Sequence, residues 1–191
     1  MNDIVINLSL PLDDDGFFRR ECPLCCREFK VLLEKNELNS LAQAGIDSYL
    51  LETKEDATNS TEEETEPETE FTCPYCGQQA PRDSWWTQEQ LAYVGVVSHN
   101  IMAKMVNEQL IQPLKRTFRT QSHGLFSMRF EANEMKQEEP WISPEVDDLE
   151  IFDLPCCHRK MKLDEDRNSE VYCFFCGFPY VTNDADTCDV V

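Results

Sequence analysis

Positive charge is scarce in this sequence. Seventeen lysines and arginines face 37 aspartates and glutamates, a formal net charge of −20 over 191 residues. Nonspecific affinity for nucleic acid comes from cations that neutralise phosphates. The bulk field here therefore opposes DNA, RNA and anionic membrane surfaces. Long apolar runs are missing as well. No stretch approaches the roughly 18 residues that a spanning helix needs. The first residues, Met1-Asn2-Asp3-Ile4-Val5-Ile6, carry no basic region followed by an apolar run and a small-residue cleavage site. A cytoplasmic location is the expectation. There is no nucleophile elbow, no P-loop, no dinucleotide fingerprint and no HExxH, so the chain is not expected to be an enzyme.

Cysteine, by contrast, is abundant, with ten residues. In a secreted chain they would read as a disulfide framework. In a reducing compartment, clustered thiols bind metal. Apolar residues make up 41% of the chain, enough for a modest core that metal would supplement.

Two cysteine pairs carry the clearest signal. Cys22-Pro23-Leu24-Cys25 and Cys73-Pro74-Tyr75-Cys76-Gly77 each place Pro after the first Cys, and the second places Gly after its last. Such turns aim backbone amides at thiolates, and a small following residue lets the turn close. Cys22, Cys25, Cys73 and Cys76 are predicted to hold one Zn2+. Four thiolates fill a tetrahedral ion, so the site is structural and leaves no position for water.

A second unit ends in Cys173-Phe174-Phe175-Cys176-Gly177 and begins with Cys156-Cys157-His158. A second Zn2+ is expected at Cys173, Cys176 and two of those three residues. Cys156 with His158 is preferred because it avoids adjacent ligands. Cys157 with His158, or both cysteines, are the alternatives. Cys26 adjoins a ligand and is expected to pack near the first site, and Cys188 to be a free thiol in an acidic tail.

Residues 52–70 contain nine acids, one lysine and a single apolar residue, Ala57. That composition cannot offset the entropy of ordering a backbone, so a disordered acidic insert is predicted. Loop-closure cost grows only logarithmically with length, which lets the two halves of the first site lie far apart in sequence.

Residues 87–119 carry helical periodicity at Leu91, Val94, Val97, Ile101 and Met105, then Ile111, Leu114 and Phe118. Thr87 and Gln90 suit a capping box, and Trp86 with Leu91 a hydrophobic staple. Pro113 should kink or divide the helix. Trp85 and Trp86 are read as anchors of the helix start rather than a base-stacking platform. His99 reads as a helix-surface histidine, and His123 has no nearby acid or Cys motif. Lys115, Arg116 and Arg119 form the one compact basic cluster. Ile4 to Leu10 and Gly124 to Phe130 read as strands.

The predicted class is α+β, with two small zinc-ribbon units flanking a long amphipathic helix. The first ribbon spans 1–51 plus 71–82, with the acidic insert at 52–70. The helix and a following strand span 83–130, an acidic linker 131–150, the second ribbon 151–182 and a flexible tail 183–191. The segments Leu12 to Pro23, Cys73 to Gly77, Ser84 to Leu91, Gly124 to Phe126 and Val171 to Gly177 resemble a bacterial group of uncharacterised zinc-ribbon proteins. Each Cys unit is more distantly similar to the zinc ribbon of general transcription factors. The resemblance implies zinc at Cys22, Cys25, Cys73 and Cys76, and a second ribbon ending in Cys173 and Cys176. It brings no activity. The expected role is that of an adaptor or accessory subunit acting through a protein partner. Nucleic-acid binding through the basic cluster is the alternative.

Overall fold

The computed structural model describes residues 8–52, 70–119, 131–166, 170–182 and 188–189. The fold is α+β. It divides into two units, Met1–Leu91 with Ile142–Val191, and Ala92–Trp141.

In the first unit, β1 (Phe17–Glu21) and β2 (Glu28–Leu32) form a hairpin across the Cys22–Cys25 turn. A second hairpin joins β5 (Glu150–Leu154) to β6 (Arg159–Leu163). The strands β2 and β6 pair antiparallel, with Lys30 opposite Lys162 and Val31 opposite Met161. The sheet order is therefore β1-β2-β6-β5. The two cysteine units share one sheet instead of standing apart on either side of a helix. Two smaller hairpins, β3 (Glu70–Thr72) with β4 (Gln79–Pro81) and β7 (Glu170–Tyr172) with β8 (Pro179–Thr182), carry the other cysteine turns. A short β9 (Cys188–Asp189) pairs with β8, so part of the expected loose tail belongs to a sheet.

One face of the large sheet is apolar. Phe29, Val31, Phe152, Leu154, Met161 and Leu163 are buried there in a core with Trp85, Phe174 and Tyr180. The rings meet in tilted and edge-on geometry. Phe174 lies 5.2 Å from both Phe29 and Trp85, centroid to centroid. Both tryptophans of the Trp85-Trp86 pair are buried, as expected of an anchor.

The other face carries a row of three cations in cross-strand register, Arg19 opposite Lys30 and Lys30 opposite Lys162. Like charges placed side by side destabilise a sheet, and carboxylates offset them here. Lys30 and Lys162 both reach Asp13, at 3.2 and 2.9 Å. Lys162 also meets Asp15 at 2.7 Å and Asp147 at 2.6 Å. Lys30 meets Asp148 at 3.0 Å and Glu145 at 3.3 Å, and donates to Val146 O. Arg19 meets Glu28, Glu145 and Asp148. The end of the expected 131–150 linker is thus bound to the sheet through its own acids. Arg20, on the apolar face, is fully buried, lies 5.2 Å from the Trp86 ring and donates to Arg82 O. Burial pulls its pKa down to about 9.

A helix that sequence analysis did not separate from the first ribbon, α1 (Lys35–Glu52), buries Leu41 and Ile46. Gly45 lets it approach Trp86, because a Cβ there would lie 3.1 Å from the ring. Next, α2 (Gln88–Val106) opens on the predicted capping box. Gln90 N donates to Thr87 Oγ1 at 3.2 Å, and Thr87 N donates to Gln90 Oε1 at 3.1 Å. Leu91 is 47% exposed, while Trp86 meets Phe18 edge-on at 6.1 Å.

In the second unit, α2 runs into a π-turn, Asn107–Ile111, and then α3 (Gln112–Arg119). Gln112 N bonds Asn107 O, five residues back. The wider turn before Pro113 accommodates a residue with no N–H and a ring that crowds the preceding carbonyls. Residues 134–138 run along this helix. Asn107 exchanges two hydrogen bonds with the Met135 backbone, and Asn100 two with that of Glu138. That part of the expected linker is held as well. Among the described residues, no helix is long and apolar enough to cross a membrane. Most of the predicted strand at 4–10 lies outside the described residues, and Leu8 to Leu10 are irregular. The strand at 124–130, His123 and residues 53–69 also lie outside them.

Candidate metal centres

Cys22 and Cys25 sit on the turn between β1 and β2, and Cys73 and Cys76 on the turn between β3 and β4. Each turn is closed by a backbone bond from the residue after its last cysteine. Cys26 N donates to Cys22 O at 2.9 Å, and Gly77 N to Cys73 O at 3.0 Å. Amides then point at sulfur. Leu24 N and Cys25 N each lie 3.4 Å from Cys22 Sγ, and Tyr75 N lies 3.4 Å from Cys73 Sγ. The Sγ atoms of Cys22 and Cys76 are 3.9 Å apart, and those of Cys25 and Cys73 are 3.7 Å apart. All four lie within 4.8 Å of one another.

A second group forms from Cys156, Cys157, Cys173 and Cys176. Cys156 and Cys176 are 3.4 Å apart at sulfur, and Cys157 and Cys173 are 3.8 Å apart. The structure thus brings the two adjacent cysteines together, the third of the alternatives read from sequence, and leaves His158 outside the group. The cause is the turn. Leu154 pairs with Arg159, so four residues must reverse the chain. The last of them, His158, takes a left-handed φ of 52°. Cys26, Gly77 and Gly177 take 56°, 69° and 73° at the equivalent place after each cysteine pair. His158 and the exposed Cys26 are therefore turn-closing residues.

Both groups pass a geometric test for metal. A tetrahedral zinc–thiolate centre with bonds of about 2.3 Å places its sulfurs about 3.8 Å apart. Two separations in each group, 3.4 to 3.9 Å, bracket that value, and all four sulfurs of a group lie within 4.8 Å of one another; all eight of these cysteines are free of disulfides. Soft thiolate donors suit zinc. Burial raises the pKa of Cys22, Cys73 and Cys173, and pushes Cys157 up to about 11. A coordinated cation reverses that preference, because the ligating form is the thiolate.

The two centres are joined through their turns. Thr72 N donates to Phe174 O and Tyr172 N donates to Pro74 O, both at 3.0 Å. Together with the β2–β6 pairing, this reciprocity is that of an approximate two-fold axis. Gly77 lies against Tyr172, and Gly177 against Thr72. A Cβ on Gly77 would lie 2.9 Å from Tyr172 Cζ, in a left-handed conformation. Gly77→Ala is expected to destabilise by about 2 to 3 kcal/mol. Gly177→Ala, which meets the small Thr72 hydroxyl instead, should cost less. Denaturant titration ranks the two, and equal or inverted costs would refute the packing argument.

Lys115, Arg116 and Arg119 lie on α3, where Lys115 pairs with Glu134 at 3.2 Å. His99 lies half-buried on α2. Neither belongs to a metal group. Comparison with family models, with curated proteins and with solved structures found no match for this chain.

Proposed function

We propose that this chain binds two Zn2+ ions and acts as an adaptor or accessory subunit through protein–protein contacts in the cytoplasm. One ion would be held by Cys22, Cys25, Cys73 and Cys76, the other by Cys156, Cys157, Cys173 and Cys176. The observation that carries the reading is the pair of four-thiol groups, each with its sulfurs within 4.8 Å of one another. Four thiolates complete the coordination, so zinc here organises structure rather than activating water. The residues themselves supply turn geometry and amide donors that orient the sulfurs.

An adaptor role draws support from surface chemistry. The net charge of −20 and the intramolecular carboxylate partners of Arg19, Lys30, Lys162 and Lys115 oppose phosphate binding. Leu24 at the tip of the first cysteine turn is 61% exposed, and Trp141 is 71% exposed, apolar surface of the kind that partner proteins cover. The likeness to bacterial zinc-ribbon proteins fits this picture and enters as part of the proposal.

Metal analysis of the purified protein should find two equivalents of zinc, falling to one in Cys173→Ala. A stoichiometric protein partner should co-purify from native lysate. A duplex should give no anisotropy change at low salt, where phosphate contacts are strongest. Tight, salt-sensitive duplex binding would shift the conclusion to the nucleic-acid alternative, and zinc-free folded protein would end both.

A further inference from the structure

We propose that the second centre is an oxidation site, at which Cys156 and Cys176 join in a disulfide and expel one zinc while the first centre keeps its own. The inference rests on the zinc reading above. It comes from how unequally the two centres are protected. In the first, Cys22 and Cys73 are buried, and Cys25 and Cys76 are half-buried. In the second, Cys156 and Cys176 are both exposed. They are also close, with sulfurs 3.4 Å apart. A disulfide needs about 2.05 Å, a short approach for two surface side chains. Reactivity of cysteine follows thiolate character together with access. Zinc would supply the first to all eight thiols, and among these eight the fold exposes only these two.

The oxidant is a hydroperoxide. One thiolate attacks the peroxide O–O bond and becomes a sulfenic acid as hydroxide leaves. The second thiolate attacks that sulfur and displaces its oxygen as hydroxide. With hydrogen peroxide, two thiolates and two protons yield one disulfide and two waters. Zinc is left with Cys157 and Cys173 and dissociates.

The Cys156–Cys176 disulfide keeps the β5–β6 and β7–β8 hairpins cross-linked once zinc has left. The β5–β6 hairpin remains bonded to β2. The β7–β8 hairpin remains tied to the first centre through Thr72 N to Phe174 O and Tyr172 N to Pro74 O, with Phe174 fixed in the core. The change is therefore local and reversible. The surface it alters is the exposed end that carries Cys156, His158 and Cys176.

The test uses the full-length, zinc-loaded protein. Metal is counted first. Hydrogen peroxide is then added, released zinc is followed with a chromogenic chelator, and disulfides are mapped by mass spectrometry. One of two equivalents should leave, in step with a Cys156–Cys176 disulfide, and thiol reductant with added zinc should restore both. Cys26→Ser removes the other exposed thiol near a centre and should release zinc at the same rate within two-fold. Fewer than two equivalents before oxidation would overturn the zinc reading and this inference with it. Two equivalents leaving together, or release without that disulfide, would overturn the inference alone.

Discussion

Stripping metal with a strong chelator is expected to abolish the cooperative unfolding transition of the first unit, and Cys73→Ser to come close to the same result. The reason lies in the size of the elements that carry the thiols. The strands β3, β4 and β7 have three residues each, and hairpins that short are marginal in water. Cys22, Cys73 and Cys173 are wholly buried members of the core, so the sulfur clusters themselves are the cores of their turns. A structural zinc site contributes on the order of 10 kcal/mol, comparable to the whole net stability of an ordinary domain. Losing Cys73 leaves three candidate ligands, and the two hairpins keep only links such as Tyr75 Oη donating to Glu28 O at 3.0 Å. Trp85 and Phe174, packed between the turns at 5.2 Å, would lose the fixed walls around them. Near-UV circular dichroism should fall toward the unfolded signal, and the thermal transition should broaden or vanish. A metal-free protein that melts cooperatively within a few degrees of the untreated one would show that the apolar core suffices, and the metal account of the fold would be lost.

The same turns explain what was legible in the sequence. The first centre could be read because Cys-Pro-x-Cys announces a turn wherever it occurs, and two such turns in one chain suit a shared metal. The capping box of α2 could be read for a similar reason, since Thr87 and Gln90 satisfy each other's backbone within four residues. Local chemistry decides both. His158 shows the limit of such reasoning. Its imidazole made it a candidate ligand, but the four-residue reversal between Leu154 and Arg159 needs a left-handed closing residue, and backbone geometry took precedence.

The shared sheet was not legible, although a trace of it was present. Phe71 to Gly77 and Val171 to Gly177 follow the same pattern, a strand leading into Cys-x-x-Cys-Gly. The duplication is obscured because one repeat contains α1 and the acidic insert between its hairpins, while in the other only residues 164–169 separate β6 from β7. Their first turns also differ, Cys-x-x-Cys in one and Cys-Cys in the other. The pairing of β2 with β6 joins residues 130 positions apart in sequence at Val31 and Met161. No local propensity encodes such a contact. The acidic segment before β5 misled for a related reason. Glu145, Asp147 and Asp148 carry the composition of a solvated linker, and only the sheet reveals the cations that they neutralise.

Asp13→Asn should be among the most destabilising single substitutions away from the cysteines, at about 3 kcal/mol. The side chains of Asp13 and Lys30 are 0% exposed and that of Lys162 is 1% exposed, and one carboxylate oxygen receives both amines. Asparagine keeps the other role of this residue. Its oxygen can still accept the Asp15 and Phe17 backbone N–H bonds that Asp13 Oδ1 accepts at 3.1 and 2.8 Å, so the substitution isolates the charge. Lys162 retains Asp15 and Asp147, and Lys30 retains Glu145 and Asp148, which places the effect at the lower end for a broken buried pair. The pH dependence gives an independent check. Burial works to raise the Asp13 carboxyl, but hydrogen bonds from Lys162, the Phe17 amide and Lys30 outweigh it, and its pKa falls below the ordinary 3.8. Asp148 is lowered in the same way, against its own burial, by Arg19 and Lys30. Stability from a depressed carboxylate is fully present above its unfolded pKa and is lost as pH falls through the folded one. Lys162 behaves oppositely. Its pKa is raised, against burial, by Asp147, Asp15 and Asp13, so its contribution disappears only in strong alkali, above its ordinary value of 10.5. The wild type should therefore hold this contribution from about pH 5 to pH 9 and lose it below about pH 4. Asp13→Asn should be less stable across that window and should show a shallower acid limb. Asp14→Asn, at an exposed neighbour, serves as the control. Urea unfolding at pH 3, 5 and 7 measures all three proteins, and an Asp13→Asn profile parallel to wild type would remove Asp13 from the centre of the network.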